Sequence, residues 1–318
     1  MAESYFQNLF RTSQRINLEL VVEVVDKVVT LDMNWALLQP YTLKEVKRAL
    51  FCMHSSKSPG PDGMFPFFFQ KYWYIVGTDV TNVVISVLHS GHFLHKMNYT
   101  HIVLIPKINE PKNVSDYHPI NLGNVVSKIV SKVLANRLKL ILPNVISESH
   151  SAFVPNRLIT NNITVTFEVL HRMKNKRTGK KGQMAIKLDI SKAHDRVKWA
   201  LFREIMLKLG PNERWVRLAM ATMQTATYSM LINGVPQGYI SPSCGIRQGN
   251  PLSPYLFLLC AEGFSSLIRK ANERQQLHGI LSCTNEVCIS HLLFADDNFI
   301  FCQATMEEGW PFLGILER

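Results

Sequence analysis

Apolar residues along the chain follow two periods, and each change of period marks an element. Behind Thr42, with Glu45 three residues on as in a capping box, Leu43, Val46, Ala49 and Leu50 form one apolar face and predict a helix over 42–53. SSKSPGPDG (55–63) reads as a loop from its Gly, Pro, Ser and Asp content. Aromatic-rich FPFFFQKYW (65–73) begins another helix, its rings assigned to a core rather than to base stacking. From 125 to 142 the residues Val126, Ile129, Val130, Val133, Leu134, Leu138 and Ile141 recur at helical spacing, with Lys128, Lys132, Arg137 and Lys139 interspersed. Helices are also predicted over 159–173 and 251–271, and helix-like segments run to about 222 after a strand at 184–190.

Strand patterns are shorter. HIVLIPK (101–107) reads as a buried strand ending at Pro106, followed by a polar stretch, and MAIKLDI (184–190) as a second strand. In YSMLINGVPQGYI, Asn233-Gly234 between apolar arms signals a type I′ hairpin. CISHLLFADDNFIFC (288–302) reads as two strands joined at 295–298, which sets two acids at a hairpin tip. The basic run KNKRTGKKG (174–182) reads as a solvated turn, and nothing repeats at a period of 20–50 residues.

A length of 318 residues suggests about two domains, or one domain with two lobes. With 47% hydrophobic and 19% charged residues, disordered and fibrous classes are excluded. Lysine and arginine outnumber acids by 35 to 24, a formal charge of +11. This excess fits a polyanionic partner (nucleic acid, nucleotide phosphates or an anionic membrane) and equally a face of solvated lysines. The 6 cysteines contain no C-x-x-C pair, so a disulfide framework and a zinc site both lack support. The start MAESYFQNLFRT lacks a signal-peptide apolar core, and no apolar run reaches the roughly 20 residues that span a bilayer. An intracellular chain with reduced thiols is the expectation.

The acids carry the candidate chemistry. Asp189 ends a strand, and Asp296 and Asp297 occupy a tight turn between strands. An isolated Asp-Asp in a turn is ordinary turn chemistry. If these strands are neighbours in one sheet, however, three carboxylates converge at one edge, where they repel unless a cation compensates. Hard Mg²⁺ suits carboxylate oxygens, and two such ions about 4 Å apart activate a hydroxyl and stabilise a leaving phosphate.

The same residues carry a resemblance. FADD (294–297), LDISKAHDRVKW (188–199), GIRQGNPLSPYLF (245–257), SAFVPNRLITNNI (151–163) and IPKINEPKNVSDYHPINLGNVVSKIVSKVLANRL (105–138) are similar, in order and spacing, to motifs of the reverse transcriptases of LINE-type (non-LTR) retrotransposons, in the form common in plants. The resemblance covers nearly the whole chain. It implies an α+β, right-hand polymerase with fingers and palm around an antiparallel palm sheet. It implies an N-terminal helical region over 1–90, fingers over 91–180 and palm over 181–318, with the thumb and the rest of the palm missing, as in a truncated copy. Asp189, Asp296 and the Ile190 carbonyl would hold two Mg²⁺ ions (Mn²⁺ as substitute), with Asp297 as ligand or support. Lys107 would neutralise triphosphate charge, and Gln248 and Gly249 would lie under the nascent base pair. Arg247, Arg157, Lys128 and Lys132 would contact nucleic acid, the two lysines being as readily solvated. The implied partners are an RNA template, a DNA primer and deoxynucleoside triphosphates, and the implied compartment is the nucleus.

Four positions depart from the family pattern. His118 stands in place of a triphosphate-binding arginine, and a mostly neutral imidazole forms no guanidinium fork, so weaker nucleotide binding is expected. His194 replaces the Phe or Tyr that excludes a ribose 2′-hydroxyl, Asn250 replaces an Asp and Asn156 a Gly. The alternative reading is a catalytically decayed, basic RNA-binding remnant of the same element.

Overall fold

The structure is a computed structural model that describes residues 2–12, 18–176, 182–190, 192–281 and 287–316. The centre of the predicted basic turn, Cys283 and Ser191 lie outside the described residues.

The first third is helical: α1 (Ala2–Leu9), α2 (Leu18–Val22), α3 (Leu31–Leu38), α4 (Leu43–Phe51), α5 (Pro66–Lys71), α6 (Trp73–Ser90) and the single turn α7 (His95–Asn98). The capping box forms: the Glu45 amide donates to the Thr42 hydroxyl, and the Thr42 amide donates to the Glu45 carboxylate. Next come β1 (Tyr99–Pro106), β2 (Tyr117–Gly123), α8 (Val125–Val145), α9 (Ile159–Asn175) and β3 (Gln183–Asp189). Helices α10 (Ala193–Arg196), α11 (Trp199–Leu209) and α12 (Glu213–Gln224) lead to the hairpin β4 (Thr227–Ile232) and β5 (Val235–Ile240). Its turn residues Asn233 and Gly234 both have positive φ, 51° and 80°, as a type I′ turn requires. The chain continues through α13 (Ser253–Glu273), β6 (Ile280–Leu281), β7 (Cys288–Ile289), β8 (His291–Phe294), β9 (Asp297–Gln303) and α14 (Met306–Leu316). Among the described residues, no helix is long and apolar enough to cross a membrane.

Two sheets organise the site. The expected antiparallel sheet exists as β3-β9-β8, while a four-stranded sheet β2-β1-β4-β5 is mixed, because β4 reaches β1 parallel to it through the intervening helices. This second sheet joins strands from both sides of residue 180. Strand β2 begins within the stretch read as polar and runs past it; it is an edge strand, where Pro119 and the exposed His118 are tolerated.

The three-stranded sheet is covered on both faces. Met184, Ile186, Leu188, Ile300 and Cys302 meet the main core, built around Leu134, Leu138, Phe202 and Trp215. Ala185, Phe299 and Phe301 meet Val165, Val169 and Met173 of α9. Such alternation fixes the strand register, since a slip of one residue would turn every apolar side chain to the wrong face.

Candidate active site

That register determines where the acids fall. Asp189 at the end of β3 pairs directly with Asp297 at the start of β9. Phe294 pairs with Asp297, so Ala295 and Asp296 alone connect β8 to β9, a shorter join than the expected 295–298. Ala295 carries the left-handed φ of 54° that the tight connection needs. The Ile190 amide reaches the Asp296 carbonyl at 3.4 Å, and Asn298 Nδ2 donates to the same oxygen at 3.2 Å. The backbone thus brings Asp189, Ile190, Asp296 and Asp297 to one end of one sheet.

Their side chains then diverge. Asp296 lines a cavity of about 280 Å³ shared with Lys107, His118, His194, Asp195 and Gln248. Asp297 lines a different, largely apolar cavity of about 390 Å³ with Phe167, Phe294 and Phe299. There its carboxylate meets Lys187 Nζ at 3.0 Å, because positions two apart on β3 share a face. Among the described residues, no group of three or more His, Cys, Asp or Glu side chains is gathered to hold a metal ion. The donors are nonetheless hard oxygens of the kind Mg²⁺ selects, presented from adjoining backbone positions. The Asp297 carboxylate is engaged by Lys187, Asp189 sits on the same face of the sheet as both, and of the three acids Asp296 alone lines the 280 Å³ cavity.

The 280 Å³ cavity gathers most of the expected nucleotide residues. Lys107 follows β1, with its Nζ donating to the Ser115 carbonyl at 3.2 Å. His118 is exposed at the rim. His194 stacks on Phe257 with ring centroids 4.3 Å apart and planes at 17°. Burial holds its imidazole below the ordinary value, with the Asp296 charge acting the other way. Gly249 has φ 82°, a conformation that suits glycine, and sits exposed beside Gln248.

Several residues of this cavity escaped the sequence reading. Buried Asp195 accepts from Gln248 Nε2 at 3.2 and 3.3 Å. Burial raises its carboxyl pKa, opposed by that hydrogen bond and by the charges of Lys192, His118 and Lys107. Tyr5, Phe6 and Leu9 of α1 form another wall, and Lys192 donates to the Tyr5 hydroxyl. The apolar spacing of YFQNLF was the available signal for this wall. Asp195 lies inside the motif LDISKAHDRVKW, but its pairing with Gln248, 53 residues away, left no local mark.

Three of the expected nucleic-acid contacts have partners within the fold. Arg247 is buried, with its two NH groups donating to Thr100 Oγ1 at 3.1 Å and the Thr222 carbonyl at 3.0 Å. Lys128 is also buried: its Nζ holds the Ser58 carbonyl at 3.0 Å and so anchors the SSKSPGPDG loop, and burial lowers its pKa to about 8. Arg157 spends its guanidinium on the carbonyls of Pro143, Ile146, Ser147 and His150, closing the C-terminal end of α8. All three hold the fold. Lys132 is half-buried, and burial, then Lys139, lower its pKa. Asn156 takes φ 66°, which asparagine tolerates well, and Asn250 bonds Ser131 Oγ at 3.0 Å.

Residues 105–317 match the family described as reverse transcriptase (RNA-dependent DNA polymerase). The chain is 30% identical over 304 residues to the transposon TX1 uncharacterized 149 kDa protein of Xenopus laevis, covering 95% of this chain and 23% of that protein. It is 26% identical over 285 residues to the retrovirus-related Pol polyprotein from type-2 retrotransposable element R2DM of Drosophila melanogaster, covering 89% of this chain and 25% of that one. A stretch of 67 residues is 58% identical to an uncharacterized mitochondrial protein of Arabidopsis thaliana, covering 21% of this chain and 55% of that protein. The chain spans about a quarter of the length of the Xenopus and Drosophila relatives.

Proposed function

The chain belongs to the reverse transcriptase family, and we propose that it is the polymerase part of a non-LTR retrotransposon of the LINE type found in plants. It copies an RNA template into DNA, extending a DNA primer with deoxynucleoside triphosphates, and works in the nucleus. The observation that carries this reading is the Asp189–Asp297 register pair, with Asp296 in the adjoining turn facing the cavity of Lys107, His118, His194 and Gln248.

In the proposed reaction the primer 3′-hydroxyl loses its proton to water and its oxygen bonds to the α-phosphorus. The bond from that phosphorus to the β-phosphate bridging oxygen breaks, and pyrophosphate leaves. Two Mg²⁺ ions, or Mn²⁺, held by Asp189, Asp296 and the Ile190 carbonyl would supply charge neutralisation at the attacking and leaving oxygens. The remaining work falls to the chain's own side chains. Lys107 sets its ammonium against the triphosphate. Gln248, fixed by Asp195, supports the nascent base pair beside Gly249. His194, fixed on Phe257, forms the floor beneath the sugar.

One observation favours a second reading, a non-catalytic RNA-binding protein. Lys187 Nζ occupies the Asp297 carboxylate at 3.0 Å. Primer extension on an RNA template with Mg²⁺, repeated with Mn²⁺, separates the two. Incorporation by the wild-type chain that disappears in both Asp189→Ala and Asp296→Ala supports the polymerase. Salt-sensitive RNA binding with no incorporation, from protein that melts cooperatively, supports the second reading. Incorporation retained in either variant refutes the carboxylate assignment.

A further inference from the structure

Helix α10 separates two cavities. Ala193, His194 and Asp195 line the one that contains Asp296. Arg196, the last residue of the helix, lines another of about 410 Å³, and Leu9 forms a wall of both. Around this second cavity stand Arg11, Arg196 and Lys198, together with Asn8 and Thr12. Among the described residues, no carboxylate and no aromatic ring lines it. A cleft lined by one sign of charge focuses potential and draws in the opposite charge.

The cavity is built rather than incidental. The segment after α1 is tied to the strand-like stretch at 243–244 by reciprocal bonds. The Thr12 amide donates to Ser243 Oγ at 2.9 Å, Thr12 Oγ1 to the Ser243 carbonyl at 2.8 Å, and the Ser243 amide to the Phe10 carbonyl at 2.8 Å. On the opposite wall Lys198 pairs with Cys244, and the Gly245 amide donates to the Val197 carbonyl at 2.8 Å. Arg11 and Lys198 therefore project from backbone fixed on both sides of the opening, which lowers the entropy a ligand must remove.

Guanidinium forks match phosphate oxygens in geometry and charge. With no ring to stack a base and no carboxylate to hold a metal, the site is poor for a nucleoside triphosphate and suited to phosphates that carry no sequence information. We propose that this cavity binds the phosphodiester backbone of a nucleic-acid strand entering or leaving the site beside Asp296. The inference rests on the reading that the chain holds nucleic acid.

The test uses the full chain and a fluorescein-labelled single-stranded RNA, with anisotropy titrations between 50 and 200 mM salt. Wild type is compared with Arg11→Gln/Arg196→Gln and with Arg214→Gln/Arg217→Gln, a control of equal net charge on the exposed side of α12. Every phosphate of a single strand that is left without its arginine lowers the slope of log affinity against log salt by about 0.7, so the cavity double variant should fall by about 1.4 and the control much less. Arg11→Lys/Arg196→Lys should restore most of the slope, which separates the removal of charge from a damaged fold. Binding of a deoxynucleoside triphosphate alone should be unchanged in the cavity variant. Equal slopes in the cavity and control variants overturn the proposal while leaving the functional reading intact. Loss of triphosphate affinity with an unchanged RNA slope also overturns it. A wild-type chain that binds no RNA overturns both.

Discussion

Arg137→Ala tests what holds the helical layer beneath the site. The Arg137 side chain is 5% exposed. Its Nε and one NH₂ group meet the two Glu45 oxygens at 2.8 and 3.0 Å, and its other donors go to the carbonyls of Leu37, Gln39 and Pro40. The guanidinium also lies 3.8 Å over the Tyr41 ring. Truncation leaves a carboxylate and three carbonyls without this donor where α3, α4 and α8 meet. Removing one partner of a buried pair costs about 3–5 kcal/mol. Water reaches Glu45, whose side chain is 32% exposed, so the lower end, about 3 kcal/mol, applies. An unfolding entropy of about 2.1 cal/mol/K per residue over 318 residues gives about 0.67 kcal/mol per degree. The melting midpoint should therefore fall by about 4–5 °C, measured by circular dichroism at pH 7. Burial works to raise the Glu45 carboxyl, but the Arg137 hydrogen bonds and charge outweigh it and hold the pKa below its ordinary value. A depressed carboxylate stabilises the fold above its unfolded pKa, and that contribution drains as pH falls through the folded value. The gap between wild type and variant should narrow from pH 7 to pH 3 without closing, since the carbonyl contacts survive protonation. A midpoint shift below about 1 °C at pH 7 would refute the accounting, and a gap independent of pH would remove the ion pair from it.

Further outcomes follow from other contacts. The exposed Lys187–Asp297 pair is worth up to about 1 kcal/mol, so Lys187→Ala should lower the Mg²⁺ needed for half-maximal extension by about two- to fivefold; an unchanged requirement separates Asp297 from metal binding. His118→Arg restores a fork at the cavity rim and should lower KM for the nucleotide with kcat little altered; steady-state kinetics showing the same KM would remove His118 from the triphosphate site. Arg157→Ala uncaps the carbonyls closing α8 and should cost about 1–3 kcal/mol in a thermal melt. The salt slope of its RNA binding should be unchanged, and a reduced slope would return Arg157 to the nucleic-acid interface.

The elements legible from sequence were those written in local chemistry. Thr42 and Glu45 state a helix start, and Asn233-Gly234 states a turn, because the interacting atoms lie within a few residues. The acid pairing was legible at one remove: apolar alternation along β3 and β9 sets the register that brings Asp189 opposite Asp297. That Asp296 and Asp297 face different cavities was not legible, because it depends on the loop being two residues long. Arginines were hardest, since Arg137, Arg157 and Arg247 are spent on the fold while Arg11 and Arg196 face an open cavity. The deciding partners of Arg137 and Arg247 lie far along the chain, the Leu37 oxygen 100 residues from Arg137 and the Thr100 hydroxyl 147 from Arg247, whereas the carbonyls that hold Arg157 lie 7 to 14 residues before it. Yet Arg137 did carry a signal. It continues the spacing of Val130, Leu134 and Ile141, all buried, so it lies within the apolar stripe of α8 rather than beside it. A charge inside such a stripe needs dedicated partners, and a carboxylate in a capping box ahead of it, Glu45, is the partner the fold supplies. Arg247, between Ile246 and Gln248 in a loop without period, offered no such handle, and only the meeting of β1 with α12 reveals it as structural.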